Sequence, residues 1–210
     1  ETGVWCYDAT TLRSWAFMFY KNLYTKETDS TPPYPGRGLF PATSSDLTES
    51  LVVAISLNET DAALFQMEPL HAPGIDGFHA AFFQQQWKNV GLSIFQMVTN
   101  FFEEGTFDPR LNETLITLIP KVPVPESIKE FRPISLCTVL YKTITKILAN
   151  RLKKWLPHLV LPNQASFVAG RQISDNIVIA QEVIHSMRSK RGSKGWMAIK
   201  VDLEKAYDRL

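Results

Sequence analysis

The feature of the sequence that most limits the possible folds is a pair of short runs with strand propensity. The hydrophobic spacing of most of the remaining chain is helical. Residues 114–121 read TLITLIPK, residues 131–136 read FRPISL, and the nine residues between them, VPVPESIKE, have the composition of a loop. β-Branched residues favour strands, and Pro120 marks the end of the first run. The pattern predicts an antiparallel hairpin. Lys121 then lies near the end of the first arm and Arg132 near the start of the second, so two cations share one tip.

Helical periodicity covers most of the remaining chain. We expect helices over residues 5–26, 46–66, 92–103, 140–155 and 174–187, with a further helical run from Phe78 to Trp87. A stretch rich in Pro, Gly, Ser and Thr follows the first helix and reads as a linker, and the Pro73-Gly74 and Asp76-Gly77 pairs predict two successive turns. The fold class is therefore α+β, mostly helical with one short hairpin.

A last strand is predicted close to residue 202. Met197, Ile199, Val201 and Leu203 alternate with more polar positions, which is typical of an extended run with one buried face. Asp202 then lies at the end of this strand, before a predicted helix. Two readings remain open from the spacing alone: Asp202 caps the helix, or its carboxylate binds a hard divalent cation such as Mg²⁺.

The net charge of +1 hides a division along the chain. Residues 1–109 carry a net charge of −8, residues 110–195 carry +9, and residues 196–210 are neutral. A basic segment of this strength favours a polyanionic partner, because neutralised phosphates release their counterions. A solvated charged face without any ligand gives the same pattern.

Cysteine, histidine and hydropathy patterns exclude several classes of protein. Cys6 and Cys137 are far apart and have no metal-ligand spacing, which argues against a zinc site and against a disulfide scaffold. The four histidines show no partner pattern, and the apolar stretch around residues 15–23 is too short to cross a bilayer. We expect an intracellular protein without a membrane partner. Because the chain opens on Glu1 and closes inside a regular pattern, we expect a fragment of a longer protein.

Six stretches, taken in order, carry a specific resemblance. They are LHAPGIDGFHAAFFQQQW, LITLIPK, FRPISL, KILANRL, NQASFVAGRQISDNI and KVDLEKAYD, and they span roughly residues 66–210. Together they resemble the reverse transcriptase of non-long-terminal-repeat (LINE-type) retrotransposons, with plant elements the most similar in character. Group II intron and telomerase reverse transcriptases share the chemistry, but the APGIDGF and NQASFVAGRQISDN stretches favour the LINE type.

The resemblance implies a right-hand polymerase fold of fingers, palm and thumb. Residues 1–65 would be a helical segment that precedes the polymerase, residues 66–195 the fingers, and residues 196–210 the start of the palm. The fragment would thus end just after the first catalytic motif of the palm. The expected location is the nucleus and the cytoplasm.

The resemblance also assigns residues to the chemistry. Asp202 would be the catalytic carboxylate that binds Mg²⁺, or Mn²⁺ in its place, with the main-chain carbonyl of Leu203 as a further ligand. Lys121 and Arg132 would grip the deoxynucleoside triphosphate, and Tyr207 would exclude a 2′-hydroxyl. Arg suits a bidentate contact with phosphate, and Lys acts as a mobile point charge.

The remaining partners would be an RNA template and a DNA primer. The residues expected to contact nucleic acid are Pro73, Gly74, Asp76, Gly77, Arg151, Lys153, Lys154, Gln164 and Arg171. The family's further metal-binding carboxylates come from a later hairpin with an Asp-Asp pair, and no adjacent Asp-Asp occurs in these 210 residues. We therefore expect the polypeptide to be inactive alone. A non-catalytic RNA-binding remnant is the alternative, and a helical interaction module accounts less well for the ordered motifs.

Overall fold

Helices form most of the structure, which is a computed structural model that describes residues 5–25, 44–106, 108–192 and 195–201. The chain divides into a larger unit, Gly38–Ala180, and a smaller one made of Glu1–Arg37 and Gln181–Leu210. The predicted division at residues 65 and 195 remains a prediction. Among the described residues, no helix has the length and hydrophobicity needed to cross a membrane.

Eight α-helices and one hairpin are found in the described part of the chain. The helices are α1 (Ala9–Tyr24), α2 (Ser45–Val52), α3 (Leu57–Phe65), α4 (Ala80–Gln85), α5 (Trp87–Glu104), α6 (Val139–Lys153), α7 (Leu156–Leu159) and α8 (Ile173–Ser189). Side-chain caps start several of them: Thr138, for example, accepts a hydrogen bond from the Tyr141 amide at 3.3 Å and so opens α6. At its other end α5 stops at Gly105, whose φ of 69° suits glycine.

The hairpin joins β1 (Leu115–Pro120) to β2 (Phe131–Leu136). The two strands are antiparallel, with Leu115 opposite Leu136 and Ile119 opposite Arg132. Both predicted runs therefore form the predicted pair. Only two residues separate β2 from α6, so the hairpin is joined directly to this helix.

The core of the larger unit lies where α3, α4, α5 and α6 pack together. Leu64 of α3, Val98 of α5 and Ile147 of α6 are fully buried there. Burying a side chain of this size stabilises the fold by about 1.5–3 kcal/mol. The helices that carry the basic residues are thus held by an ordinary apolar core.

The helix predictions hold with adjusted bounds. The predicted helix over residues 46–66 is two helices, α2 and α3, because Ser56 caps α3 and Ile55 turns into the core between them. The runs predicted from Phe78 and from residue 92 are α4 and α5, which meet at Gln86. The α+β class with an antiparallel hairpin is confirmed.

The last predicted strand is not formed in residues 195–201. Met197, Ile199 and Val201 are exposed by 79%, 73% and 78%, and no strand pairs with this segment among the described residues. An alternating run becomes a buried strand only beside a neighbouring strand, and the sheet that the structure describes contains β1 and β2 alone. The expectation of a buried strand is therefore wrong for these residues.

Candidate functional site

The end of the hairpin brings two of the predicted site residues together. Ile119 is opposite Arg132, and the Lys121 amide donates to the Glu130 carbonyl at 2.7 Å, which continues the register by one more pair. Side chains alternate along a strand, so Lys121 shares a face with Ile119 and Arg132. Both cations are exposed. The structure therefore places them on one side of the hairpin end, as the sequence predicted.

The carboxylate closest in sequence to this pair is occupied elsewhere. Glu130 accepts hydrogen bonds from the amides of Glu126 at 2.6 Å and Ser127 at 3.1 Å, which closes the connecting loop as a capping box. The Lys121 ammonium donates to the Lys129 carbonyl at 2.8 Å, and the Arg132 guanidinium has no hydrogen bond or ion pair within the described residues. Arg132 thus remains available to an anionic ligand.

The predicted turn at residues 73–77 forms, but its glycines have different tasks. The Gly77 amide donates to the Gly74 carbonyl at 3.1 Å, and Asp76 accepts from the Phe78 amide at 3.2 Å. Gly77 is exposed with φ of 73°. Gly74 is buried, and a Cβ there would lie 2.5 Å from the Thr138 nitrogen. Gly74 therefore lets the turn pack on the start of α6, and its predicted contact with nucleic acid stays a prediction.

Arg151 is also a structural residue. Its guanidinium donates to both carboxylate oxygens of Glu59, at 2.7 and 2.8 Å, and to the carbonyls of Leu51 and Val53, each at 2.8 Å. The side chain is only 9% exposed. The hydrogen bonds that Arg151 donates to Glu59 raise the pKa of Arg151 above its usual value. Arg151 thus uses its donors inside the fold, and its predicted contact with nucleic acid stays a prediction.

Arg171 has a comparable position in the loop between α7 and α8. Its two terminal nitrogens donate to four carbonyls, those of Pro157, Val160, Leu161 and Gln164, at 2.6–3.0 Å. A planar guanidinium reaches several acceptors at once, which holds the loop in one shape. Arg171 therefore orders the loop, and its predicted contact with nucleic acid stays a prediction.

The same loop presents two residues to solvent. Gln164, one of the predicted contacts, is exposed and donates to the Ser166 carbonyl at 3.2 Å. Phe167 has a φ of 65°, in a region that residues with side chains seldom adopt, and is 81% exposed. Arg171 fixes the backbone that carries both side chains, so Gln164 remains a candidate contact.

Lys153 and Lys154 end α6 on its solvent side. Both are exposed, and neither has a hydrogen bond or ion pair among the residues that the structure describes. Positive charge at a helix C-terminus is favoured by the helix dipole. These two lysines therefore remain available to a polyanion, in contrast to their neighbour Arg151.

The predicted residues do not form a single cluster. Arg132 and Cys137 are five residues apart along β2, which corresponds to about 16 Å of extended chain. Because Gly74 packs against Cys137 and Thr138, the turn at residues 73–77 lies at the far end of β2 from the two cations. The hairpin end and the turn are two separate surfaces of the larger unit.

The predicted metal ligands Asp202 and Leu203 and the predicted sugar-contact residue Tyr207 lie outside the described residues. Within the described ranges, no group of three or more His, Cys, Asp or Glu side chains could hold a metal ion.

Sequence reasoning did not predict the partners of two acidic residues, Glu130 and Glu59. Glu130 had a local signal, because Ser127 and Glu130 have the spacing of a capping box. Glu59 had none, since its partner Arg151 is 92 residues further along the chain. The ion pair between Glu59 and Arg151 forms because α3 packs on α6, and no short sequence motif indicates it.

Comparison with known proteins gives two matches. Residues 119–210 match the family model for reverse transcriptase (RNA-dependent DNA polymerase). Over 213 aligned residues, covering 100% of the chain, the sequence is 32% identical to the "Transposon TX1 uncharacterized 149 kDa protein" of Xenopus laevis. The chain spans 16% of the length of that relative.

Proposed function

Because residues 119–210 are part of a reverse transcriptase domain and the whole chain is homologous to a transposon protein, we propose that the parent protein is an RNA-directed DNA polymerase of a LINE-type retrotransposon. The observation that supports this most is the coincidence of the family match with a hairpin that presents Lys121 and Arg132 on one exposed face. The partners would be an RNA template, a DNA primer and deoxynucleoside triphosphates. The site of action would be the nucleus, after synthesis in the cytoplasm.

The hairpin cations would act on the triphosphate. The Arg132 guanidinium offers a planar pair of donors for two phosphate oxygens, while the Lys121 ammonium adds a flexible point charge. Together they would orient the triphosphate and offset its charge as pyrophosphate leaves. Tyr207 would stand against the sugar and exclude a 2′-hydroxyl, which selects deoxynucleotides.

The metal assignment rests on the chemistry of the donors. The Asp202 carboxylate and the Leu203 carbonyl are hard oxygen ligands, the type that Mg²⁺ prefers, and Mn²⁺ accepts the same donors. When bound, such ions act as Lewis acids on the phosphate oxygens. The bond that forms joins the primer 3′-oxygen to the α-phosphorus, and the bond that breaks releases pyrophosphate.

The polypeptide of 210 residues would not catalyse this reaction by itself. A two-metal site needs several carboxylates, and the sequence contains no adjacent Asp-Asp pair to accompany Asp202. The activity therefore belongs to a parent protein that supplies the remaining ligands.

Primer extension on an RNA template tests both statements. We expect the parent polymerase to extend a DNA primer and Asp202→Ala to reduce extension to background, while Glu103→Gln, at an exposed position of α5, serves as an acidic control that retains activity. Extension by the purified 210-residue polypeptide, lost on Asp202→Ala, would contradict its proposed inactivity. Full activity of the parent carrying Asp202→Ala would contradict the assignment of the catalytic carboxylate.

A second candidate function is RNA binding without catalysis, favoured by the exposed pair Lys153 and Lys154 in a segment of net charge +9. Binding through phosphates would weaken steeply as salt rises, with a slope of log affinity against log salt that grows with each contact. Charge reversal at Lys153 and Lys154 should lower both the affinity and the slope. An affinity for RNA that does not change with salt would argue against this function.

A further inference from the structure

A cavity of about 500 Å³ lies on the larger unit, between α6 and the segment that joins α3 to α4. Its walls are aliphatic, formed by Met67, Ala80, Val139 and Ala149. Ala80 and Val139 are buried and belong to the apolar core, so they form a firm floor. None of these four residues is among the predicted catalytic, triphosphate-binding or nucleic-acid-binding residues.

The rim of the cavity carries a net positive charge. Lys142 and Lys146, one helical turn apart on α6, stand opposite a single acidic residue, Glu68, with His71 and Thr145 completing the lining. The Lys142 ammonium donates one hydrogen bond to the Ala72 carbonyl at 3.2 Å, which fixes it at the rim and leaves two of its three N–H donors. Lys146 has no hydrogen bond or ion pair within the described residues.

We propose that this cavity binds a small amphipathic anion: an unbranched alkyl chain with one carboxylate. The volume falls within the range of ligand pockets, about 300–1,000 Å³, and a mostly apolar wall with few polar groups is typical of such sites. Aliphatic walls fit an alkyl chain better than a nucleobase, which is usually bound by stacking on aromatic rings. The paired lysines supply the charge complementarity that selects an anionic head group.

The site is independent of the polymerase assignment, because its residues differ from the proposed catalytic and nucleic-acid contacts. It does lie beside one of them. Lys142 bonds the carbonyl of Ala72, which directly precedes the turn at residues 73–77. A carboxylate that recruits Lys142 therefore competes with a hydrogen bond that anchors this turn.

Decanoate and decylammonium test the proposal, since the two molecules share an alkyl chain and differ in head-group charge. Titration of each into the 210-residue polypeptide, followed by backbone amide chemical shifts, should give saturable shifts in α6 and near residues 67–72 with decanoate. We expect decylammonium to bind at least about tenfold more weakly, the effect of losing a charge-assisted contact. Equal binding of the two ligands would overturn the proposal.

Three variants locate the site. Lys146→Glu should weaken decanoate about tenfold, and Ala149→Trp, at an exposed helical position, should block the cavity and abolish the saturable shifts. Lys88→Glu makes the same charge change at an exposed position of α5 and should leave the affinity unchanged. Circular dichroism verifies that each variant is folded. Equal weakening by Lys88→Glu, unchanged binding in Ala149→Trp, or tighter binding of uridine monophosphate than of decanoate would each overturn the assignment.

Discussion

Arg151 and Arg132 belong to the same basic segment, residues 110–195, but the side chain of Arg151 is nearly buried and that of Arg132 is exposed. Arg151 lies among protein acceptors from α2, α3 and the residue that follows α2, and its side chain is 9% exposed. Arg132 is exposed at the loop end of the hairpin, and its guanidinium has no hydrogen bond or ion pair in the described part of the chain. The basic segment therefore contains two kinds of cation: those that stabilise the fold and those that remain available to a ligand.

The division also separates neighbours along the sequence. Arg151 is structural, whereas Lys153 and Lys154, two and three residues later, are exposed at the end of α6. A helical step of two residues carries Lys153 to the other side of the helix, and Lys154 follows the last residue of α6. Net charge therefore overstates the surface that can bind a polyanion, and burial decides which residues count.

The largest effect is expected from Arg151→Met. Removing the guanidinium leaves the Glu59 carboxylate and two carbonyls without their donor, which should lower the free energy of unfolding by about 2–4 kcal/mol. Urea denaturation measures it. Lys153→Met, on the exposed side of the same helix, should change the stability by no more than about 0.5 kcal/mol. Equal effects of the two variants would remove the distinction between the two kinds of cation.

A smaller, local effect is expected from Arg171. Arg171→Lys keeps the charge but offers a single ammonium in place of the planar donors that reach four carbonyls, so the loop should lose about 1–2 kcal/mol of local stability. Hydrogen exchange at the Gln164 and Arg171 amides reports it, since both donate within the loop. Full protection in Arg171→Lys would show that the charge alone is needed, as a phosphate contact would require.

The smallest effect is expected where a guanidinium and a carboxylate pair on the surface. Asp108 pairs with Arg110, and this hydrogen bond lowers the pKa of Asp108 to about 2. Because the pKa in the folded state is depressed, the stabilising contribution is present above the ordinary carboxyl pKa and is lost as pH falls through about 2. Arg110→Met should return the Asp108 titration toward 3.8 in carbon-detected NMR, without a measurable change in the unfolding midpoint. An unchanged titration would contradict the pairing.

The sequence predicted the hairpin well because its signals are local. Strand propensity and Pro120 define both arms, and the loop between them places Lys121 and Arg132 at one end. The partners of Arg151 and the close approach of Gly74 to Thr138 depend on residues far apart in the chain, so no periodicity reveals them. The prediction of a buried strand at residues 195–201 was wrong for a related reason. Alternation indicates which face a strand would bury, but not whether a neighbouring strand is present.

The proposed roles of Asp202 as the catalytic carboxylate and of Tyr207 at the sugar rest on the family resemblance, since both residues lie outside the described residues. The hairpin cations are the part of the proposed site that has both a structural position and an assigned role. Their behaviour toward a triphosphate therefore bears most directly on the proposed function.

The KM for a deoxynucleoside triphosphate in the parent polymerase carrying Arg132→Met is the most direct measurement. We expect KM to rise about tenfold or more, the loss of a bidentate charge-assisted contact, while the stability and the affinity for the RNA template stay close to those of the unaltered protein. Arg110→Met, an exposed arginine outside the proposed site, should leave KM unchanged. A KM in Arg132→Met equal to that of the unaltered polymerase would contradict the assignment of the hairpin end to the triphosphate.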